Sequence, residues 1–61
     1  MRHWFRVFLY NESEDLEAEF IVSAVDQQAA IKRARVRKQQ IFGEESSLWE
    51  IVNVTVEIKE V

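Results

Sequence analysis

Hydrophobic and polar residues alternate along three stretches of the 61-residue chain, and this period of two predicts three β-strands. The first strand is predicted over residues 4–10, and its apolar face consists of Phe5, Val7 and Leu9. The second is predicted over residues 16–22, after a polar hairpin loop, and its apolar face consists of Leu16, Ala18, Phe20 and Val22.

The third strand, predicted over residues 48–59, has the clearest alternation in the chain. One of its faces is an uninterrupted apolar row: Val52, Val54, Val56 and Ile58. The opposite face carries Trp49, Ile51, Asn53, Thr55, Glu57 and Lys59. If the alternation is strict, the tryptophan and the isoleucine lie on the face away from the valines.

A helix is predicted between the second and third strands, where no strong helix breaker occurs before Gly43. Asp26 is a suitable N-cap, and Ser23 is an alternative because an acidic residue follows it at the capping-box spacing. At 100° per residue one apolar stripe forms. Its centre is Ala30, Ala34 and Ile41, and its flank is Ile31 and Phe42.

The predicted element order is β-β-α-β, within a single α+β domain that covers residues 1–61. The first two strands are expected to pair as an antiparallel hairpin, and the helix is expected to cover one face of a three-stranded, mainly antiparallel sheet. We prefer the strand order 2-1-3, because the first strand is rich in apolar residues on both faces. The alternative places the third strand beside the second.

One helix covers only one face of such a sheet, so the other face is expected to expose a patch of aromatic residues and arginine. Residue types of this kind are enriched at binding hot spots, and large exposed apolar patches mark interfaces. The predicted interface residues are Trp4, Arg6, Phe8, Tyr10, Ile21, Trp49 and Ile51. A homodimer would bury this face and supply a second core, whereas a core of this size alone contributes only about 3–5 kcal/mol.

Sequence motifs for catalysis are nearly absent. The chain contains no Cys and a single His, His3, which disfavours thiol chemistry, disulfides and a structural metal site. No Gly-rich phosphate loop is present, and we predict no catalytic residue, no cofactor, no metal and no small-molecule substrate. The preferred function is a non-enzymatic protein-binding or regulatory module, acting as a homodimer or on another protein.

The charge distribution leaves two alternatives open. The segment 32–38 is basic, and Lys32, Arg33 and Arg35 point outward as candidate nucleic-acid contacts. The net charge of −3 disfavours strong phosphate binding. The second alternative is an acidic inhibitor that mimics nucleic-acid phosphates, using Glu12, Glu14, Asp15, Glu17 and Glu19.

The N-terminal residues do not resemble a signal peptide, because Arg6 interrupts the apolar run and no small-residue cleavage site follows. The apolar stretches are also much shorter than the roughly 20 residues that cross a bilayer. We therefore predict no membrane association and a cytoplasmic location.

Overall fold

The computed structural model describes residues 2–57, and its architecture is α+β with the element order β-β-α-β. The elements are β1 (His3–Asn11), β2 (Leu16–Ala24), α1 (Gln27–Phe42), a 3-10 helix (Gly43–Leu48) and β3 (Trp49–Glu57). The three strands form one sheet in the order β2-β1-β3. The predicted fold class and the preferred strand order are confirmed.

β1 is the central strand and runs antiparallel to both of its neighbours. Val7 lies opposite Phe20 of β2 on one side and opposite Val54 of β3 on the other. The side chains of such directly opposed residues share a face of the sheet. This cross-strand row is the middle of the core.

The predicted core face of β1 is confirmed, since Phe5, Val7 and Leu9 are all buried. On β2 the burial increases towards the C-terminal end, where Val22 is buried, whereas Leu16 beside the hairpin loop is exposed. The apolar face of β2 is therefore correctly placed, and only its first residue falls outside the core.

The helix α1 begins and ends at the residues that the sequence marks for these roles. The Asp26 carboxylate accepts a hydrogen bond of 2.8 Å from the backbone N–H of Ala29, so Asp26 is the N-cap. Ser23, the alternative cap, lies within β2. Gly43 follows the helix with φ of 58°, a conformation in which most other residues are strained.

The helix packs on the sheet along a row of residues spaced by four. Ala30 and Ala34 have no exposed surface, and Lys38 and Phe42 continue the row half-buried. Such a row drifts around the helix by about 40° per step, because four residues exceed one turn of 3.6. The prediction that Ile41 is in the core is therefore wrong: the row has moved past it, and Ile41 is exposed.

β3 contains one residue more than its partner segment in β1. Ile51 lies opposite Leu9, and Asn53 lies opposite Phe8, so Val52 between them is the extra residue of a β-bulge. A bulge breaks the alternation of side chains between the two faces. Relative to the helix, the side chains before Val52 therefore alternate in the opposite sense to the side chains after it.

This change of phase corrects the predicted faces of β3. Trp49 and Ile51 do not lie on the face away from the helix: Trp49 is 7% exposed and belongs to the core, and Ile51 packs against that core. The Trp49 ring stacks on Phe42 of α1, with 4.4 Å between ring centroids and 14° between planes.

The predicted valine row is correspondingly only partly buried. Val54 is in the core, whereas Val52, the bulge residue, and Val56, towards the end of the strand, are exposed. Ile58, the last member of the predicted row, lies outside the described residues, as does Lys59.

The burial of Val54 generates a first prediction. Val54→Asp places a carboxylate without a partner at a position that is 7% exposed, at a cost of several kcal/mol, comparable to the stability of so small a domain. We expect this variant to lose its cooperative thermal transition in circular dichroism. Val52→Asp is the matched control, because Val52 is 58% exposed, and it should melt near wild type. Equal melting of the two variants would contradict the described faces.

The bulge generates a second prediction. Deletion of Val52 would join Ile51 to Asn53 and restore a regular ladder, with Trp49 still on the helix side. We expect the shortened chain to fold. Deletion of Thr55, in the regular part of β3, would turn every preceding side chain to the opposite face and should abolish the thermal transition. If both deletions unfold the chain equally, the position of the bulge is wrong.

Candidate functional site

The sheet face that α1 does not cover is here called the helix-free face, and a charged cluster lies at its centre. The described residues of the helix-free face include Trp4, Arg6, Phe8, Tyr10, Glu19, Ile21 and Glu57. Five of the seven predicted interface residues lie on it. The two that do not, Trp49 and Ile51, belong to the helix side because of the bulge in β3.

Arg6 on the central strand connects the two outer strands. One guanidinium nitrogen, Nη1, lies 2.5 Å from the Glu19 carboxylate on β2, and Nη2 pairs with the Glu57 carboxylate on β3. The Nε–H of Arg6 donates a further hydrogen bond of 3.3 Å to Glu57. Hydrogen bonding to Glu57, and the charges of both carboxylates, raise the pKa of Arg6 above its usual value.

The pairing of Arg6 changes the character of the helix-free face. One guanidinium and two carboxylates leave the centre of this face with a net charge of −1. Without Trp49 and Ile51, the apolar part of the face divides into Phe8 and Tyr10, which are half-buried, and Trp4 and Ile21, which are exposed. The face is therefore less apolar than the sequence predicts.

Side-chain hydrogen bonds stabilise the hairpin loop between β1 and β2. The Tyr10 hydroxyl donates a hydrogen bond of 2.6 Å to the Asp15 carboxylate, and Asn11 accepts one of 3.2 Å from the backbone N–H of Glu14. Asp15 has φ of 54°, a left-handed conformation that Asp tolerates better than most residues. Of the five carboxylates in the predicted phosphate mimic, two are thus engaged within the chain: Asp15 by Tyr10 and Glu19 by Arg6.

The three basic residues predicted as nucleic-acid contacts do not converge on one surface. Lys32 and Arg33 lie on the side of α1 towards β2, where Arg37 joins them. Arg35 lies on the opposite side, towards β3, in a shallow depression with Glu50 and Ser47. The basic segment therefore divides its charge between two surfaces.

An open groove of about 570 Å³ runs between α1 and β2, and we call it the β2 groove. Its lining residues are Trp4, Ile21, Val22, Ser23, Lys32, Arg33, Val36, Arg37 and Gln40. This volume is within the range of roughly 300–1,000 Å³ typical of ligand sites. Sequence reasoning identified Trp4, Ile21, Lys32 and Arg33 separately but missed that they meet, because their proximity depends on how α1 lies across the sheet.

The β2 groove is basic although the chain as a whole is acidic. Among the residues that the structure describes, three cationic side chains and no acidic one line it, whereas the net charge of the chain is −3. The ion pairs within residues 2–57 all involve Arg6, so Lys32, Arg33 and Arg37 have no carboxylate at salt-bridge distance there. The groove therefore presents uncompensated positive charge beside apolar surface.

For the part of the chain that the structure describes, no group of three residues that could hold a metal ion is present. His3 is exposed at the start of β1, where its ring contacts Phe5 edge-on with 6.5 Å between ring centroids. The hydroxyl of Ser46, a buried serine, donates a hydrogen bond of 2.8 Å to the Gln39 side chain.

Comparisons of the chain with protein-family models, with curated proteins and with solved structures found no match. Neither helix within residues 2–57 has the length and apolar character needed to cross a bilayer.

The hydrogen bond between Tyr10 and Asp15 generates a third prediction. That bond is the largest of the effects that raise the pKa of Tyr10 above its ordinary value of about 10, followed by burial and by the charges of Glu12 and Glu17. The neutral phenol therefore stabilises the fold below pH about 10, and this contribution is lost as the pH rises through the folded pKa.

Tyr10 is the one tyrosine of the chain, so an ultraviolet difference titration reports on it alone. We expect a midpoint above that of free tyrosine in wild type and a lower midpoint in Asp15→Asn, which tolerates the positive φ but carries no charge. Glu14→Gln is the control, since Glu14 is not among the causes of the shift. An unchanged midpoint in Asp15→Asn would contradict the described hydrogen bond.

Proposed function

We propose that this protein is a small non-enzymatic protein-binding module whose contact centre is Trp4 and Ile21, at the mouth of the β2 groove. The observation that carries the proposal is the combination of exposed apolar side chains with a concave surface. Trp4 is 47% exposed and Ile21 is 40% exposed, and both line the groove together with Val36, which is 59% exposed. A cytoplasmic location and the absence of a cofactor or small-molecule substrate remain part of this proposal.

The types of residue at this mouth support protein binding. Tryptophan and arginine are enriched among residues that dominate binding energy, and both are present here in Trp4, Arg33 and Arg37. Hot spots also require shelter from water, which a groove supplies better than a flat sheet does. The surface retains two of the seven predicted interface residues, Trp4 and Ile21, and adds the flank of the helix to them.

Self-association through the helix-free face is the second candidate, and the aromatic rings of Phe8 and Tyr10 favour it. A face-to-face dimer would also bury two copies of the ion-paired cluster around Arg6. Each cluster carries a net charge of −1, and desolvating ion pairs costs several kcal/mol per ion. The mouth of the groove avoids this cost, and for that reason we place the contact centre there.

Nucleic-acid binding through the helix is the less favoured alternative. The affinity of such binding rises with the number of phosphates that a protein neutralises. The β2 groove offers three cations, Arg35 faces away from it, and the net charge of −3 opposes the approach of a polyanion.

A fourth prediction tests the proposed contact centre. We expect selection of random displayed peptides on the immobilised wild-type protein to yield binders. Their affinity should fall by about tenfold or more in Trp4→Ala and in Ile21→Ala, as expected for hot-spot truncations of about 2 kcal/mol. Leu48→Ala is the matched control, because Leu48 is exposed to the same extent as Trp4 but lies outside the groove.

Three results would contradict the proposal or favour an alternative. Binders that are insensitive to both Trp4→Ala and Ile21→Ala would move the contact centre elsewhere. A concentration-dependent dimer in sedimentation that is lost in Phe8→Ala would favour self-association through the helix-free face. A salt-sensitive gel shift with generic DNA or RNA, abolished by reversing Lys32 and Arg33, would favour the nucleic-acid alternative.

A further inference from the structure

We propose that the β2 groove binds an extended segment of another protein, with acidic and apolar side chains in alternation, as a fourth strand paired with residues 20–24 of β2. This inference rests on the proposed protein-binding function and specifies its ligand. The exposed edge of a sheet offers unpaired backbone N–H and C=O groups, which an added strand satisfies while its side chains enter neighbouring pockets.

The sheet has two outer edges, and the edge formed by β3 is protected. Its bulge at Val52 interrupts the regular ladder. Two of its carbonyls accept hydrogen bonds from helix side chains: Gln27 donates to Val54 at 3.1 Å, and Lys38 donates to Trp49 at 2.8 Å. An incoming strand would have to displace these contacts.

The edge formed by β2 has fewer of these obstacles. All nine of its residues pair with β1 without a register shift. Within residues 2–57, one side-chain hydrogen bond reaches its backbone: the guanidinium of Arg2 donates to the carbonyl of Ser23 at 3.1 Å, and this contact is exposed. Of the two edges, β2 is therefore the one that offers a regular ladder.

Only the second half of β2 suits strand addition. Its first half carries Glu17 and Glu19, and charged side chains of this kind discourage edge pairing. Residues 20–24 are uncharged, and three of them, Ile21, Val22 and Ser23, line the β2 groove. The segment free for pairing and the concave surface thus coincide.

The side chains around this edge define the ligand. A strand added beside residues 20–24 would turn alternate side chains towards α1, where Lys32, Arg33 and Arg37 lie with no carboxylate of residues 2–57 at salt-bridge distance. The intervening side chains would lie on the other face, beside Ile21 and Trp4. Charge complementarity favours carboxylates in the first set, and burial favours apolar residues in the second.

A second copy of this chain fits the edge less well. Symmetric antiparallel pairing of two β2 strands would place both helices on the same face of a continuous sheet. The three cations of each groove would then confront the same three of the other copy. The carboxylates of β2 could not neutralise them, because Glu17 and Glu19 lie on the helix-free face. Like charges in such proximity oppose association.

A nucleic acid would supply negative charge but no backbone amides in the spacing of a β-ladder. The free edge of β2 would then remain unpaired, and the three cations would neutralise few phosphates. An acidic polypeptide can pair its carboxylates with the cations of the groove and its backbone with the edge of β2. These two features together favour an acidic polypeptide over a nucleic acid.

A fifth prediction tests this ligand with a defined probe. The probe is a capped, fluorescently labelled peptide of about seven residues alternating glutamate and valine, which at ~3.3 Å per residue spans residues 20–24. We expect fluorescence anisotropy to show saturable binding to the whole 61-residue chain. Arg33→Glu should weaken binding by about fivefold or more, whereas Arg35→Glu, the same change on the opposite side of the helix, should change it little.

Strand addition itself is tested on the probe, so that the fold of the protein is not disturbed. The same peptide, N-methylated at alternate residues so that the donors of its pairing edge are removed, should bind about tenfold or more weakly. In the complex with the unmodified peptide, alternate amides within residues 20–24 should become protected from hydrogen exchange, and the amides of β3 should not.

The outcomes separate the two proposals. No binding of the acidic peptide, equal loss in Arg33→Glu and Arg35→Glu, or binding without protection of residues 20–24 would overturn the strand-addition proposal. In those cases, displayed peptides that still depend on Trp4 and Ile21 would leave the proposed contact centre intact. A generic single-stranded nucleic acid could instead bind more tightly than the peptide and lose its binding in Arg33→Glu. That result would overturn the strand-addition proposal in favour of a phosphate ligand.

Discussion

The extra residue at Val52 is the constraint on which the rest of the sheet depends. Trp49 and Val54 are five positions apart in the same strand, so in a regular strand they would point to opposite faces. The bulge removes this conflict, and both side chains enter the one core. A chain of 61 residues has few large side chains to bury, and the bulge lets it use its second tryptophan for the core rather than leave it at the surface.

Burial of Trp49 in turn determines how the helix lies. Ala30 and Ala34 have no exposed surface, so the first half of α1 approaches the sheet closely, and the spacing by four leads from them to Phe42, which stacks on the Trp49 ring. Lys38, in the same row, donates to the Trp49 carbonyl. Of the four helix cations that this row leaves out, Lys32, Arg33 and Arg37 fall on the flank towards β2, and Arg35 falls on the flank towards β3. The charge of the groove is thus a consequence of core packing.

Local patterns in the sequence were sufficient for the three strands, the α-helix, the positive φ at Gly43 and the strand order, and they gave Asp26 as one of two possible caps. They did not predict the 3-10 helix. They failed at Trp49, Ile51 and Ile41, for one kind of reason. Strict alternation assumes an uninterrupted strand, and the wheel prediction assumes a contact stripe parallel to the helix axis. The bulge interrupts the first, and the packing row spaced by four winds around a regular helix, so both depend on contacts between distant segments. The groove was unpredictable for the same reason, because Trp4 and Arg37 approach each other only through tertiary packing.

The same packing makes the two edges of the sheet unequal. On the β3 side, the bulge and the donors Gln27 and Lys38 occupy the edge, so the interactions that build the core also prevent further pairing there. On the β2 side, the helix presents its cations and Val36 without reaching the strand backbone with a side-chain hydrogen bond, and an open space remains between them. A sheet of three strands has two edges to protect, and this chain protects one with the bulge at Val52 and with hydrogen bonds from two helix side chains. The other is where a partner would gain both ladder hydrogen bonds and opposite charge, which is why we locate the function there rather than at the ion-paired centre of the helix-free face.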